Sequence, residues 1–197
     1  MNRKRRKEKQ ELRKFKTFWR RFWAGQVDGI VLMPLFYLNM FIWNQAESIA
    51  TPVLLLWHVV QMLSFYIYSI SLHAAFGQTL GKMLLHVKVV DVTERPITIS
   101  QAIRRDIVPL ALAFIAVAQN AVPILRGENL LKPTHVHFGF GMIIMLLTGA
   151  GWFWAEVLTM LTNRKRRAIH DLMAGTVVIQ VPQHVRRALA GLPPVTA

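Results

Sequence analysis

Asp28 is the side chain whose position most directly suggests chemistry. It is followed by the uncharged run GIVLMPLFYLNMFIW. A carboxylate near the centre of a bilayer costs roughly 2.5–3.5 kcal/mol on insertion scales, so it should face protein or water and have a partner. A carboxylate that changes charge inside a membrane can bind a proton or a cation. Asp28 is therefore expected either to serve proton or ion movement or to make a polar contact that fixes helix packing.

Four basic side chains are candidates to balance Asp28. Arg104, Arg105 and Lys82 lie in the polar segment between the second and third apolar runs and are the preferred partners. Arg21 precedes Asp28 by seven residues, on the same face of a helix but about 10 Å away along the axis. We expect Arg21 to influence the local potential more than to pair directly.

A second carboxylate, Glu156, lies in the last apolar run. It is expected to reach the interface or to pair with Arg164 or His170. His135 and His137 are two residues apart, and in an extended segment they would face one side, an arrangement that can bind metal. Because only Glu128 is a further nearby ligand and the chain has no cysteine, we predict no metal site and no cofactor.

Enzymatic motifs are missing. We find no nucleophile elbow, no paired catalytic carboxylates and no zinc motif, so we predict that the protein is not an enzyme. The segment GQTLGK, from Gly77 to Lys82, has three residues between its glycines and is followed by Met83. A phosphate loop needs four intervening residues and Ser or Thr after the lysine. Gly77 and Gly81 are instead expected to form a tight exit from the second apolar helix.

Four apolar runs are long enough to hold these groups in a membrane. At ~1.5 Å per residue, about 20 residues cross ~30 Å of hydrocarbon. The runs predict an all-α membrane protein with a four-helix transmembrane bundle. The predicted spans are residues 22–43, 53–75, 107–125 and 138–161.

Positive charge is distributed unevenly around these spans. Residues outside the membrane on one side hold 22 of the 24 Lys and Arg side chains. The positive-inside rule makes that side cytoplasmic, with both termini inside. The distribution also accounts for the net charge of +14 without nucleic acid, which would require a basic domain or recognition helix. The bilayer and its anionic lipid headgroups are the expected partners.

Small β elements are predicted on the cytoplasmic side. Val87–Val92 and Ile97–Ile99 flank a turn, and Thr176–Val181 follows a glycine turn at Gly175. Together they predict a small sheet, the alternative being unrelated extended loops. Residues 1–21 are predicted to form a basic interfacial tail, residues 22–182 the transmembrane domain, and residues 183–197 a disordered tail.

Three motifs in order resemble the RDD family of bacterial membrane proteins. They are R-x-x-A-x-x-x-D at Arg21 to Asp28, GQTLGK at Gly77 to Lys82, and HDLMAGTVV from His170 to Val178. The resemblance implies that Arg21, Asp28 and Asp171 are the arginine and two aspartates for which the family is named. It also implies transport of undefined ligands. The chain departs from the common pattern between Leu125 and Phe138 and in its fourth span.

The predicted function is transport or antiport of a small solute or ion across the bacterial cytoplasmic (inner) membrane, with Asp28 as the protonatable group. A homo-oligomer is expected, because four helices are few for a lone transporter. The alternative is a non-transporting accessory or scaffold subunit with a partner in a membrane complex. A transporter requires Asp28 beside an accessible cavity, whereas a scaffold can bury it fully paired. The predicted polar cluster comprises Arg21, Asp28, Lys82, Arg104, Arg105 and Asp171.

Overall fold

The computed structural model describes residues 11–131 and 140–181. The chain is mostly helical, with one two-stranded sheet. Short 3-10 turns at Leu12–Phe15 and Ala46–Ser48 precede the first and third helices. The helices and strands are α1 Phe18–Val31, α2 Met33–Asn44, α3 Thr51–Phe76, α4 Leu80–Leu84, β1 Val87–Asp91, α5 Ile99–Leu125, α6 Phe140–Thr162, α7 Ile169–Ala174 and β2 Thr176–Gln180.

Part of the sequence prediction lies outside the described residues. His135 and His137, the start of the predicted span 138–161, residues 1–10 of the basic tail and the C-terminal tail 183–197 all fall there. The predictions made for them stay predictions.

Two helices, α3 and α5, are long and apolar enough to cross a membrane. The helical segments Leu12–Val31 and Met33–Asn44 pass the same criterion together, as a pair bent by 44°. The described residues thus contain two candidate spans, or three if the bent pair is one span. Large apolar side chains such as Phe41, Leu56 and Leu147 are more than 60% exposed, as expected for helices that contact lipid. The predicted count of four spans remains a prediction.

The first predicted span is not one straight helix. It is interrupted at Leu32, between α1 and α2, and Pro34 lies in the first turn of α2. Proline lacks a backbone N–H and its ring clashes with the carbonyl four residues earlier, so a continuous helix through Pro34 is disfavoured. The prediction of an uninterrupted run from 22 to 43 missed this bend.

The helix pair α3 and α5 makes the most extensive helix contact of the described chain. α5 begins at Ile99, eight residues before the predicted span. Its N-cap is Thr98, and Gln101 completes a capping box with it. The added turns carry Arg105, which contacts Thr176 at the start of β2, and Asp106, which contacts Ser69 of α3.

The two strands pair antiparallel, with Val89 opposite Val178. This confirms the predicted sheet between the segment after Lys82 and the segment after Gly175. Ile97–Ile99 does not form the expected additional strand: Thr98 is the N-cap of helix α5, which starts at Ile99, and Ile97 packs into the apolar core beneath the sheet.

Apolar clusters cover both faces of the sheet. One face packs Val87, Val89 and Val178 against Ile97 and Ala102. The other face packs Val90 and Val177 against Phe15 of the N-terminal turn. A third cluster of Trp43, Leu54 and Ile124 lies elsewhere, around the loops that join α2 to α3 and follow α5. The sheet is thus fixed to α5 and to the segment that leads into α1. Helix α1 carries Arg21 and Asp28, and helix α5 carries Arg105.

Candidate functional site

Asp171 is the centre of a buried charge cluster. Its side chain is fully buried, and Arg21 of α1 donates to its Oδ2 at 2.7 Å. Arg105 of α5 donates to its Oδ1 and also to Thr176 at the start of β2. The backbone N–H of Ala168 donates to Oδ2 at 3.0 Å. Asp171 therefore joins α1, α5, α7 and the sheet through a single carboxylate.

The two arginines keep Asp171 ionised. Burial alone would raise the pKa of the carboxyl, but the guanidinium charges of Arg21 and Arg105 outweigh it and hold the pKa well below its ordinary value. Two cations share this one anion, so the Asp171 cluster (Arg21, Arg105 and Asp171) carries an excess of positive charge.

His170 contacts both arginines. Its Nε2 lies 3.0 Å from a nitrogen of Arg21 and 3.0 Å from a nitrogen of Arg105. A guanidinium can only donate, so Nε2 accepts and Nδ1 carries the proton, which it donates to Glu156 at 2.5 Å. Burial, assisted by the charges of Arg105 and Arg21, lowers the pKa of His170. The neutral imidazole links Glu156 of α6 to the Asp171 cluster, which agrees with one of the two pairings expected for Glu156.

Asp28 is 4% exposed and accepts hydrogen bonds from three neutral groups. Tyr68 of α3 donates to Oδ1 at 2.7 Å, and Thr79 donates to Oδ2 at 2.6 Å. The backbone N–H of Gly81 donates to Oδ1 at 2.7 Å. This contact requires α4 to approach α1 so closely that a Cβ on Gly81 would lie 2.1 Å from the Ala24 carbonyl oxygen.

The expected cationic partners of Asp28 make their direct contacts elsewhere. Arg21 and Arg105 bind Asp171, and the Lys82 amine lies 2.8 Å from His73. Arg104 is exposed on another face of α5 and is not part of the site. The donors that contact Asp28 directly are instead hydroxyl and backbone groups from α3, α4 and the residue before α4. Lys82 is nevertheless near enough for the charge of Asp28 to favour its protonated form.

A second chain of polar contacts extends from Lys82. The Lys82 amine donates to His73 Nε2, and His73 Nδ1 lies 3.2 Å from the hydroxyl of Ser69. Ser69 donates to Asp106 at 2.9 Å. With Lys82 protonated, each group donates to the next, so Lys82, His73, Ser69 and Asp106 form a continuous series that we call the Lys82 relay. Such a series can pass a proton from an amine to a carboxylate.

The charge state of Lys82 is sensitive to pH near neutrality. Burial, followed by repulsion from Arg105 and Arg21, lowers its pKa from 10.5 to about 7. Asp28 and Asp106 oppose this change. The amine is therefore able to gain and lose a proton at physiological pH.

This pKa predicts how stability depends on pH. Between pH 7 and 10.5 the unfolded chain binds a proton at Lys82 that the folded chain does not, so the unfolding free energy should rise with pH in that window. Thermal unfolding of the purified protein between pH 7 and 9 measures this rise. In Lys82→Met the unfolding free energy should rise less with pH than in the parent protein. Lys16→Met, a change at an exposed position, should show the same rise as the parent protein. An equal rise in Lys82→Met would contradict the assignment.

The clusters border one cavity of about 550 Å³. Its polar end is formed by Arg21, Asp28, Ser69, Thr79, Lys82, Arg105, Glu156 and His170. Its remaining lining is apolar or glycine: Phe18, Trp19, Phe22, Gly25, Phe65, Phe153, Trp154, Val157 and Met160. The volume falls within the usual range for small-molecule sites. Among residues 11–131 and 140–181, no group of three or more His, Asp or Glu side chains is placed to hold a metal ion.

The motif glycines have backbone roles. Gly77 ends α3 with φ of +70°, and a Cβ there would lie 2.7 Å from the Val89 carbonyl oxygen. Gly175 ends α7 with φ of +67°. Both are left-handed conformations that favour glycine. The expected tight exit after α3 and the expected turn at Gly175 are both present.

Several site residues were not assigned their roles from the sequence. Tyr68 and Thr79 were not recognised as ligands of Asp28, nor Asp106 as the end of the Lys82 relay. Ser69 and His73 are four residues apart on a helix, a spacing that places them on one face and could have suggested their contact. The partners of Asp28 and Asp106 lie 37 to 53 residues away in sequence, so no local pattern indicates them.

In a comparison with protein families, residues 15–175 match a family model described as RDD family. The matched region contains the Asp171 cluster, Asp28 and the Lys82 relay. No curated protein and no solved structure matches the chain.

Proposed function

Because the chain belongs to the RDD family of membrane proteins, we propose that it moves a small solute or ion across the membrane with proton exchange at the cavity beside Asp28. The observation that carries this proposal is that one cavity is bordered both by Asp28 and by Lys82, the start of the relay. No enzymatic step is part of the proposal.

Two features of the cavity support proton exchange. Asp28 is held by neutral donors, so its charge is not matched by a directly bound arginine, in contrast to Asp171. Lys82 has a pKa of about 7 and contacts the relay that ends at Asp106. Binding or release of a charged solute in the cavity would change the proton affinity of Lys82, since opposite charges favour ionisation and like charges oppose it.

The proposal includes four spans with both termini inside a bacterial cytoplasmic membrane. In this topology the turn at Ala46–Ser48 is external and the sheet is cytoplasmic. The chain has no cysteine, so single cysteines at exposed Ser48 or Thr93 can be labelled without background. We expect an impermeant thiol reagent to label Ser48→Cys in intact cells and Thr93→Cys only after permeabilisation. Labelling of Thr93→Cys in intact cells would contradict the topology.

Asp28→Asn tests the transport proposal. Asparagine keeps the shape of the side chain, and its amide can still bond with Tyr68, Gly81 and the Thr79 hydroxyl, so we expect normal assembly. It cannot exchange a proton. In proteoliposomes that enclose a pH-sensitive dye, a pH step in NaCl or KCl should dissipate at least tenfold more slowly with Asp28→Asn than with the parent protein.

Glu47→Gln is the matched control, because Glu47 is an exposed carboxylate in the α2–α3 turn, away from the cavity. It should dissipate the pH step at the parent rate. Unchanged flux with Asp28→Asn would remove Asp28 from any transport mechanism. An Asp28→Asn protein that fails to assemble would favour a structural role for the residue.

A scaffold role is the second candidate, and the Asp171 cluster favours it. Asp171 is fully buried and paired with two arginines from different helices. This arrangement fixes the positions of helices and requires no solute. Under this alternative the protein would be an accessory subunit in a membrane complex, and the proteoliposomes would show no protein-dependent flux.

A further inference from the structure

The cavity beside Asp28 is asymmetric in chemistry. The charged groups of its lining lie together near α4 and α7, because Arg21, Arg105 and Glu156 contact His170 of α7 and Asp28 accepts from Gly81 of α4. Most of the remaining lining is aromatic or aliphatic. A small inorganic ion would contact only the polar end and would leave the apolar lining unused. The lining instead fits a molecule with one polar head and one apolar body, because each part then meets groups of its own kind.

The polar end has hydrogen-bond donors to spare. Within the described chain, Arg21 and Arg105 each use three of five N–H groups, on Asp171, His170 and either a backbone carbonyl or Thr176. Lys82 uses one of three, on His73. Both oxygens of Asp28 already accept hydrogen bonds, and Glu156 accepts at Oε1 from His170, which leaves its Oε2 as the one carboxylate oxygen of this lining without a donor in the described chain. An incoming head group therefore meets cationic donors more readily than acceptors, which favours an anionic oxygen group.

The cavity lies between α1 and α6. Within the described residues, these two helices make few direct contacts with each other. Its lining aromatics are also the surface aromatics of these helices: Trp19 is 68% exposed and Trp154 is 61% exposed. Tryptophan rings at such positions are typical of the interface between lipid headgroups and hydrocarbon. The gap between α1 and α6 can thus admit a molecule from the membrane.

We propose that this cavity binds an anionic amphiphile, with a carboxylate or phosphate head at Arg21, Lys82 and Arg105 and an apolar body along the aromatic lining, entering between α1 and α6. This inference rests on the proposed function and names the substrate class of the same site. The apolar body distinguishes it from a free anion, and the donor excess distinguishes it from an organic cation.

Equilibrium binding to the full chain in phosphatidylcholine nanodiscs tests the proposal. The probe is 11-(dansylamino)undecanoic acid, read by energy transfer from tryptophan relative to empty nanodiscs. Four competitors separate the possibilities: dodecanoate, dodecanol, dodecyltrimethylammonium and inorganic phosphate. Dodecanoate should displace the probe at concentrations at least tenfold lower than the other three. Equal displacement by dodecanol would indicate apolar partition, and equal displacement by dodecyltrimethylammonium would indicate a cation site. Equal displacement by phosphate would indicate a site for free anions. Each of these results would overturn the proposal.

Gly25→Leu provides a variant that fills the cavity without removing a charge. Gly25 lines the cavity, and a Cβ there meets no atom within 4 Å, so the helix can accept it. We expect at least a tenfold loss of probe affinity. Gly29→Leu, one turn later with the same open surroundings but outside this cavity, should keep parent affinity. Equal affinity in Gly25→Leu and the parent protein would overturn the assignment.

Lys82→Gln tests the head group separately. It should weaken dodecanoate at least tenfold and leave dodecanol unchanged, whereas Lys16→Gln, at an exposed position, should change neither. Because this assay needs no transport, the two proposals can fail separately. Flux without dodecanoate binding would retain the proposed transport and reject the amphiphile. Binding without flux in NaCl or KCl would retain the amphiphile site and reject transport of inorganic ions.

Discussion

Asp171→Asn is expected to prevent accumulation of folded protein. The substitution leaves the guanidiniums of Arg21 and Arg105 buried without their shared counter-charge and places an amide donor against them. Removing one partner of a buried ion pair typically costs about 3–5 kcal/mol. That is a large fraction of the total stability of a typical domain, about 5–15 kcal/mol. The substitution should act on the whole fold because the carboxylate joins α1, α5 and α7.

The measurement is the yield of monodisperse protein after detergent extraction, followed by thermal unfolding of any that remains. Glu94→Gln removes the same charge from an exposed ion pair with Lys14, and such pairs contribute about 0–1 kcal/mol. Its yield should match that of the parent protein. Parent-like yield and unfolding temperature in Asp171→Asn would show that the cluster does not hold the helices together.

Gly81→Ala is expected to separate α4 from α1. The added Cβ would lie 2.1 Å from the carbonyl oxygen of Ala24 and 2.9 Å from the Asp28 carboxylate, distances that require the backbone to move. Overpacking of this kind costs typically about 1–3 kcal/mol, and the rigid obstacle here places the effect at the upper end. The movement should also lengthen the hydrogen bond from Gly81 to Asp28 and alter the cavity.

Gly149→Ala is the matched control, because a Cβ at Gly149 in α6 meets nothing within 4 Å. Alanine is favoured over glycine inside a helix by roughly 0.5–1 kcal/mol, so this variant should be as stable as the parent protein or slightly more so. Comparison of unfolding temperatures tests the pair. If Gly81→Ala unfolds at the same temperature as the parent protein, the close approach of α4 to α1 is wrong.

Asp28 and Asp171 illustrate two physical situations. Asp171 is surrounded by fixed cations, so its ionised form is strongly favoured and it is suited to hold elements together. Asp28 accepts hydrogen bonds from neutral groups beside a cavity, so a solute or proton can change its surroundings. This contrast is the basis for proposing a structural role for one and a transport role for the other.

Much of the framework follows from the sequence alone. Long apolar runs predicted the membrane helices α3 and α5, and β-branched runs predicted the pairing of Val87–Asp91 with Thr176–Gln180. The positions of Gly77 and Gly175 predicted turns, and ordered motifs predicted the family. These features depend on local composition and periodicity, which a single sequence displays. The bend near Pro34 was equally local but was overlooked.

The pairing of charged groups was decided by the tertiary structure. Arg21 is 150 residues from Asp171, and Arg105 is 66 residues from it. A sequence can show that Asp28 and Asp171 need compensation, because burying a carboxylate is costly, but it cannot show which donor reaches which oxygen. That depends on the approach of α4 to α1, on the early start of α5 at Ile99 and on the sheet that holds α7 beside α5. Charge type and burial are therefore readable along the chain, whereas partner choice is a property of the folded arrangement.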